Sequence, residues 1–325
     1  APKDYAGSFY KWTAAINRHT EYAARMVTMS PHQYAYPQDI ICTGLIDQNW
    51  NGLNRLLNEA DLIHLKDETG FFDGSNKIPG HLFDELKGKT PIIYTAYGGM
   101  LRQNQNNKNF IEYLHTYDAR ICMTPDLNSP QFDGWFIPHA IDTQKYPVTW
   151  EANNVVCHTP STRSRKGTSN FLLAMQEVQS KINNVTLDLV ENVSHDECVK
   201  RKQRSSLFFD QAGRESLERL GTDAAIGWYG NSALECAVAG IPTIAHLSET
   251  AFDGAERAGV NIRDKCAILN TGLDDKAIFN TIKNYFNLTA EEQVKLSKNT
   301  RKFVEDFHSF EATASALNEC YESLL

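Results

Sequence analysis

Short unbroken apolar runs alternate along this chain with longer stretches whose apolar residues recur three and four positions apart. The first kind, bounded by Gly, Pro, Asn or Asp, reads as buried strand, and the second as amphipathic helix. In the first half the pattern predicts helix 9–19, strands near 25–29 and 40–44, helix 48–59, strand 61–65, helix 80–87, strand 91–95, helix 107–115 and strand 119–123. In the second half it predicts strand 154–158, helix 167–181, strand 185–190, helix 195–202, strand 206–210, helices 213–220 and 231–239, and strand 241–245. Helices near 274–285, 290–307 and 309–324 end the chain. Such alternation indicates α/β domains with parallel sheets. The 325 residues leave room for two domains of roughly 150 residues each. The boundary is placed near residue 145, close to Tyr146-Pro147, giving domains 1–145 and 146–325. The polar tract Gln103–Asn109 reads as a loop running into a helix start. A domain of this kind opens on a buried strand followed by a glycine turn. Here the chain begins almost at the turn, Asp4-Tyr-Ala-Gly-Ser8, so the first strand of the N-terminal sheet is expected to be missing.

The run Ile226–Ala245 places a small-residue loop, a helix and a strand in sequence. Gly227 and Gly230 allow a sharp turn and close approach to a ligand. Gly230 is expected at positive φ, and Ser232 is expected to cap the helix that follows. A helix start opened by glycine suits a phosphate or diphosphate. Glu235, one turn on, can accept from a ribose or sugar hydroxyl, or serve only as a helix-start carboxylate. Gly240 stops the helix. The same run also reads as an ordinary βα unit with a tight turn.

A second element carries charge. Strand Asn154–Cys157 leads into His158-Thr-Pro-Ser-Thr-Arg-Ser-Arg-Lys-Gly-Thr168, which puts Arg163, Arg165 and Lys166 in one loop before a helix. An arginine fork with a lysine point charge is a common pairing on a diphosphate. Alone, such a basic loop is more often a solvated surface turn.

Together the two segments resemble the donor-binding half of GT-B glycosyltransferases, in particular the large retaining family 4. Arg163 and Lys166-Gly167 match that family's arginine and Lys-Gly pair. Gly230, Glu235 and Ala239-Gly-Ile-Pro242 match its glycine loop, glutamate and Ala-x-Gly-x-Pro ending in outline. Phe136-Ile-Pro-His-Ala-Ile-Asp142 is similar to its interdomain segment, and Ser8–Thr20 to its first acceptor-domain helix. The resemblance implies an α/β fold of two Rossmann-like domains facing across a cleft, with C-terminal helices packing back toward the N-terminal domain. Three positions depart from the family. Gly227 stands where a first glutamate is usual, Tyr97 where a His-Gly turn would have its histidine, and Lys66 where a His-x-His strand end would have its second.

The resemblance also implies chemistry. Arg163 and Lys166 are the candidate cations for a diphosphate leaving group, and backbone N–H groups near Asn231-Ser232 complete the cradle. Glu235 is the candidate for the ribose. Gly227, Tyr229, Gly230, Asn231, Ser232 and Asp210 are the donor-binding candidates. Gly7 and Ser8 are expected to face the diphosphate, and Arg102 to hold an acceptor or phosphate group. His64 ends a strand beside Asp67 and Glu68, and His139 stands in the hinge segment. No metal and no cofactor is expected, the nucleotide-diphosphate sugar being the donor substrate. The activity implied is transfer of a sugar to an acceptor hydroxyl, with retention. A phage-type DNA-base glycosyltransferase and a noncatalytic sugar-nucleotide or glycan-binding module of the same fold are the alternatives.

Composition narrows the setting. Hydrophobic content of 42% and charged content of 22% suit a globular enzyme. The net charge of −8 is split evenly about residue 144, so neither half is basic. This weighs against nonspecific nucleic-acid binding, though a nucleic-acid partner stays possible. No apolar run reaches the about 18 residues of a membrane span. Seven cysteines without paired spacing, and a polar first segment, lead to the expectation of free thiols and a cytoplasmic protein. No Cys/His cluster has zinc spacing.

Overall fold

The computed structural model describes residues 4–28, 31, 37–41, 46–66, 86–213 and 227–325. The chain divides into two compact units, residues 1–140 with 310–325, and residues 141–309. The helices expected at 80–87 and 213–220 lie almost wholly outside the described residues, as do Asp67 and Glu68.

The first unit begins with a 3-10 turn, Tyr5–Gly7, that leads directly into α1 (Ser8–His19). Gly7, at φ 65°, has no side chain with which to cap this helix. Asp4 supplies the acceptor instead. Its carboxylate takes the N–H groups of Phe9 at 2.9 Å and Tyr10 at 3.1 Å, two of the donors that every helix start leaves over. Phe9, Trp12, Ala15 and Ile16 form the buried face of α1. They pack with Phe310, Ala314, Leu317 and Cys320 of the C-terminal helix, Phe310–Glu322, so the last helix completes the core of the first unit.

A short parallel pair follows, β1 (Val27–Thr28) with β2 (Ile40–Ile41), and then α2 (Ile46–Glu59). The main sheet is β3 (Ile63–Lys66), β4 (Ile92–Ala96), β5 (Ala119–Cys122) and β6 (Trp135–Phe136), parallel and in that order. Every residue of β4 is buried. Its unbroken apolar run is what a parallel strand covered on both faces needs. The polar tract at 103–109 runs into a helix start as expected, but its first two residues are helical and not loop. Gln103 and Asn104 close α3 (Gly99–Asn104), and Asn107 caps α4 (Lys108–Leu114) by accepting the Phe110 N–H.

The second unit holds a five-stranded parallel sheet. Its strands are β7 (Val155–His158), β8 (Thr186–Leu189), β9 (Leu207–Gln211), β10 (Thr243–Ala245) and β11 (Leu269–Asn270), in the spatial order β8-β7-β9-β10-β11. The chain leaves β7 toward one edge and, after β8, returns to build toward the other. In open parallel sheets, ligands bind beyond the carboxyl ends of the strands at such a reversal, which here lies between β7 and β9.

The helices of this unit among the described residues are α5 (Arg163–Lys166), α6 (Thr168–Lys181), α7 (His195–Lys202), α8 (Asn231–Ala237), α9 (Glu249–Arg257), α10 (Asp275–Phe286) and α11 (Ala290–His308). Four of their starts are written locally: Ser194, Ser248, Asp274 and Thr289 each accept a first-turn N–H. Ser248 and the residues up to Phe252 are the cap and first turn of α9. Gly167 corrects one expectation. At φ 68° it separates the turn α5 from α6, so Arg163 and Lys166 lie in a helical turn and not in an open loop. A Cβ at Gly167 would collide with the Ala212 carbonyl. Gly240, at φ 77°, stops α8 as read from the sequence.

Candidate functional site

The carboxyl end of β9 organises the second unit's polar residues. Ile244 pairs with Phe209, but its neighbour Ala245 pairs with Gln211, so Asp210 is an extra residue in the ladder. Side chains of a regular strand alternate between faces. The irregularity re-aims them, and both Asp210 and Gln211 reach Lys166. The lysine Nζ donates to Asp210 Oδ1 at 2.7 Å and to Gln211 Oε1 at 3.0 Å. Asp210 is 2% exposed, and its Oδ2 accepts the Gly230 N–H at 2.7 Å. The Gln211 amide donates to the Trp228 carbonyl. One strand end therefore fastens the cation and the glycine loop to each other, and Asp210 lies behind the lysine.

The loop turns differently from the expectation. Gly230 is extended, with φ −110° and ψ −177°, so no left-handed conformation requires glycine there. Gly227 is the left-handed residue, at φ 58°, and a Cβ on it would collide with the Ser248 side chain. A Cβ at 230 would stand 3.6 Å from both Lys166 Nζ and Asp210 Oδ2. That is ordinary contact, and it would fill space in front of the ammonium. Tyr229 is buried, stacked on Trp228, with its hydroxyl 2.8 Å from His308 Nε2. Its side chain packs behind the loop.

Glu235, on the second turn of α8, is buried in an ion pair that sequence reasoning missed. Lys202 Nζ, on the last residue of α7, donates to Glu235 Oε2 at 2.6 Å, and His195 Nε2 lies 2.9 Å from Oε1. Lys202 is 2% exposed. Burial opposes its charge, but the Glu235 carboxylate outweighs that and holds the ammonium above the ordinary lysine value. Lys202 also donates to Ser232 Oγ at 2.6 Å, and Ser232 Oγ lies 3.1 Å from Thr159 Oγ1. Ser232 is thus no helix cap: α8 starts after Gly230 without any side-chain cap, with Asn231 as its first residue. In the sequence Lys202 closes the run Lys200-Arg-Lys, which reads as a solvated face. Successive helix residues point about 100° apart, so one of the three turns inward, and the run itself does not say which.

Arg163 is exposed, with its guanidinium gripping Glu191 at 2.8 and 2.5 Å. His158 ends β7 in full burial, between the Phe209 carbonyl at 2.9 Å and Thr168 Oγ1 at 2.8 Å. Nδ1–H donates to the carbonyl, so Nε2 accepts from Thr168. Desolvation lowers its pKa to about 4 and keeps the ring neutral.

In the first unit the structure brings some expected residues together and spends others on packing. Ser8 Oγ lies 3.2 Å from Tyr97 OH and 3.2 Å from His139 Nδ1, and the His139 ring stands edge-on to Tyr97. Lys66, buried, places Nζ 4.2 Å from the Tyr97 ring centroid. The two positions at which the family would carry histidines are therefore stacked on each other. Next to Gly7, the first turn of α1 already holds the Asp4 carboxylate. His64 hydrogen-bonds Tyr321 OH at 2.9 Å and the Thr95 hydroxyl, among the rings of Phe9 and Trp12. Desolvation lowers its pKa to about 3. It is a packed strand residue. Arg102 grips Asp126 at 2.6 and 3.0 Å and Thr124 Oγ1 at 2.9 Å, which ties α3 to the exit of β5.

Among the described residues, no three His, Cys, Asp or Glu side chains come together as a metal site, and no helix is long and apolar enough to cross a membrane. The cysteines among them are free thiols.

No protein-family model and no curated protein sequence matches this chain. Its fold, however, matches solved structures from end to end. One is an alpha-glucosyltransferase in complex with UDP and a 13-mer DNA containing a central A:G mismatch, with a TM-score of 0.65 and 10% identity over 99% of this chain and 96% of that one. Sucrose-phosphate synthase from Thermosynechococcus elongatus matches with a TM-score of 0.59 and 13% identity, over 97% and 92%. The N-terminal domain of trehalose-6-phosphate phosphatase from Candida albicans matches with a TM-score of 0.64 and 9% identity, over 99% and 94%. At these identities the likeness is one of fold, and the fold is that of the GT-B glycosyltransferases.

Proposed function

We propose that this protein is a glycosyltransferase that moves a sugar from a nucleotide-diphosphate donor to an acceptor hydroxyl. The observation that carries the reading is the Lys166 ammonium, clamped by Asp210 and Gln211 beside Gly230 at the reversal point of a parallel sheet. As the sugar–phosphate bond breaks, negative charge grows on the diphosphate. A cation already held in place stabilises that charge without reorganising during the reaction. Arg163, one helical turn away, is the second cation; its partner Glu191 is exchanged for the phosphate. Glu235 serves the ribose from the side. Ser8, Tyr97 and His139 are the acceptor-side set. Transfer proceeds without metal and with retention, a phosphate oxygen of the donor accepting the acceptor's proton. The alpha-glucosyltransferase of the same fold, solved with UDP, supports a uridine donor.

A DNA acceptor is the second reading. It is favoured by the DNA in complexes of that same alpha-glucosyltransferase and opposed by the net charge of −8. Thermal shift and donor hydrolysis with UDP-, GDP-, ADP- and CMP-linked sugars, without added metal, test the leading reading. One diphosphate donor should raise Tm and be slowly hydrolysed; stabilisation by none of them would sink the site. Proton NMR of the product's anomeric position decides retention. A duplex carrying a hydroxymethylated base, offered beside simple sugars, decides the acceptor class.

A further inference from the structure

Thr159, the residue after β7, and Ser232, on the first turn of α8, are hydroxyls in contact. Lys202 Nζ lies against Ser232 Oγ. An ammonium donates and never accepts, so Ser232 is the acceptor in that bond. Two touching hydroxyls own two hydrogens and spend one between them. Among the described residues neither oxygen has any other partner. The second hydrogen is therefore a donor without an acceptor among the described residues, at a site where Thr159 is only 9% exposed. With an apolar group in place of Lys202, the pair could present either a hydrogen or a lone pair to a visitor. With the ammonium filling one acceptor position, it is biased toward donation. Carbonyl and anionic oxygens both take a hydrogen and return none, and beside the ammonium of Lys202 the anionic one is favoured. Thr159 leaves the same strand as the connection carrying Lys166, at the reversal point between β7 and β9.

We propose that the Thr159–Ser232 hydroxyl pair donates to a phosphate oxygen of the bound nucleotide, and that buried Lys202 is the positioning residue that sets the direction of this donation. The inference rests on the nucleotide-diphosphate reading above. Lys202 does not touch the ligand; it acts through Ser232.

Calorimetric binding of UDP, GDP and ADP, and of their nucleosides, to the full chain tests both parts. Thr159→Val keeps the shape and removes the hydroxyl. It should weaken binding of the best nucleoside diphosphate about tenfold, the loss of one hydrogen bond to a charged group, and leave the nucleoside unchanged. Ser232→Ala should do likewise. In a Lys202→Met background, Thr159→Val should cost less than about twofold, because the direction is already lost. A purely structural lysine would instead leave the tenfold effect intact. Unchanged diphosphate affinity in Thr159→Val, or equal losses for nucleoside and diphosphate, overturns the inference while the function proposed above stands. Failure of the unaltered protein to bind any of the three diphosphates overturns both. Should Lys202→Met not fold, the two hydroxyl variants still decide the contact.

Discussion

In the second unit, the cations at the carboxyl edge of the sheet are wired into one assembly: Lys166 to Asp210 and Gln211, and Lys202 to Glu235 and Ser232. In the first unit, residues of equal chemical promise are dispersed. His64 is locked among aromatic rings, Arg102 holds Asp126, and Asp4 fills the first turn of α1. What stays together there is Ser8, Tyr97, His139 and the buried Lys66. Both units are parallel α/β layers, so sheet architecture alone does not make a charged site. The second unit has the strand-order reversal and the irregular β9 end that turns two neighbouring side chains onto one lysine.

The largest expected effect comes from acid, and it involves both units. His158 has a pKa of about 4 when folded, against about 6.5 in the unfolded chain. The unfolded state therefore binds the proton first as pH falls. The stability from keeping this ring neutral is present above pH 6.5 and falls by about 3 kcal/mol as pH drops to 4. His64, lowered to about 3, acts in the same direction in the first unit. Urea unfolding at pH 7 and pH 5 should show the loss, and His158→Gln should flatten it for the second unit alone. An unchanged acid limb in that variant would place the proton uptake elsewhere.

Lys166→Ala comes next. The sequence by itself suggests a variant that loses nucleotide binding and keeps its stability. The structure predicts that it loses both, because Asp210 is left buried without its cation, at a cost of about 3 kcal/mol. Adding Asp210→Asn should restore most of the stability and none of the binding. Arg102→Ala should cost about 2 kcal/mol by orphaning Asp126, with nucleoside-diphosphate affinity untouched. A fall in that affinity would erase the contrast between the two units. Gly227→Ala should then cost roughly 1–2 kcal/mol through its left-handed backbone and the contact with Ser248. Gly230→Ala should leave Tm alone and weaken diphosphate binding. Arg163→Ala should likewise change Tm little, since the arginine is itself exposed, while weakening diphosphate binding about tenfold.

Much of the architecture is carried by local pattern. Helix 195–202 has the bounds read from its sequence, and Ser194 caps its start. Gly240 ends α8 and the strand after it follows as expected. The cation-bearing connection after β7 and the glycine loop before α8 were legible as well, since both are short segments whose chemistry lies in adjacent residues. The reasons behind them were not. Gly230 was credited with a backbone conformation that belongs to Gly227, because two glycines three residues apart look alike until the chain around Ser248 is packed against one of them. Ser232 was read as a cap because hydroxyls at helix starts generally are, and a lysine thirty positions earlier in the chain claims it instead.

Sequence alone determined the alternation of strands and helices and the short glycine and cation motifs, all consequences of patterns within about ten residues. Tertiary structure decided which charges are paired. Lys202 with Glu235, Arg102 with Asp126 and Arg163 with Glu191 join residues 24 to 33 positions apart in sequence. A charge leaves water only when a partner is waiting for it, and where that partner stands depends on how the strands are ordered in the sheet.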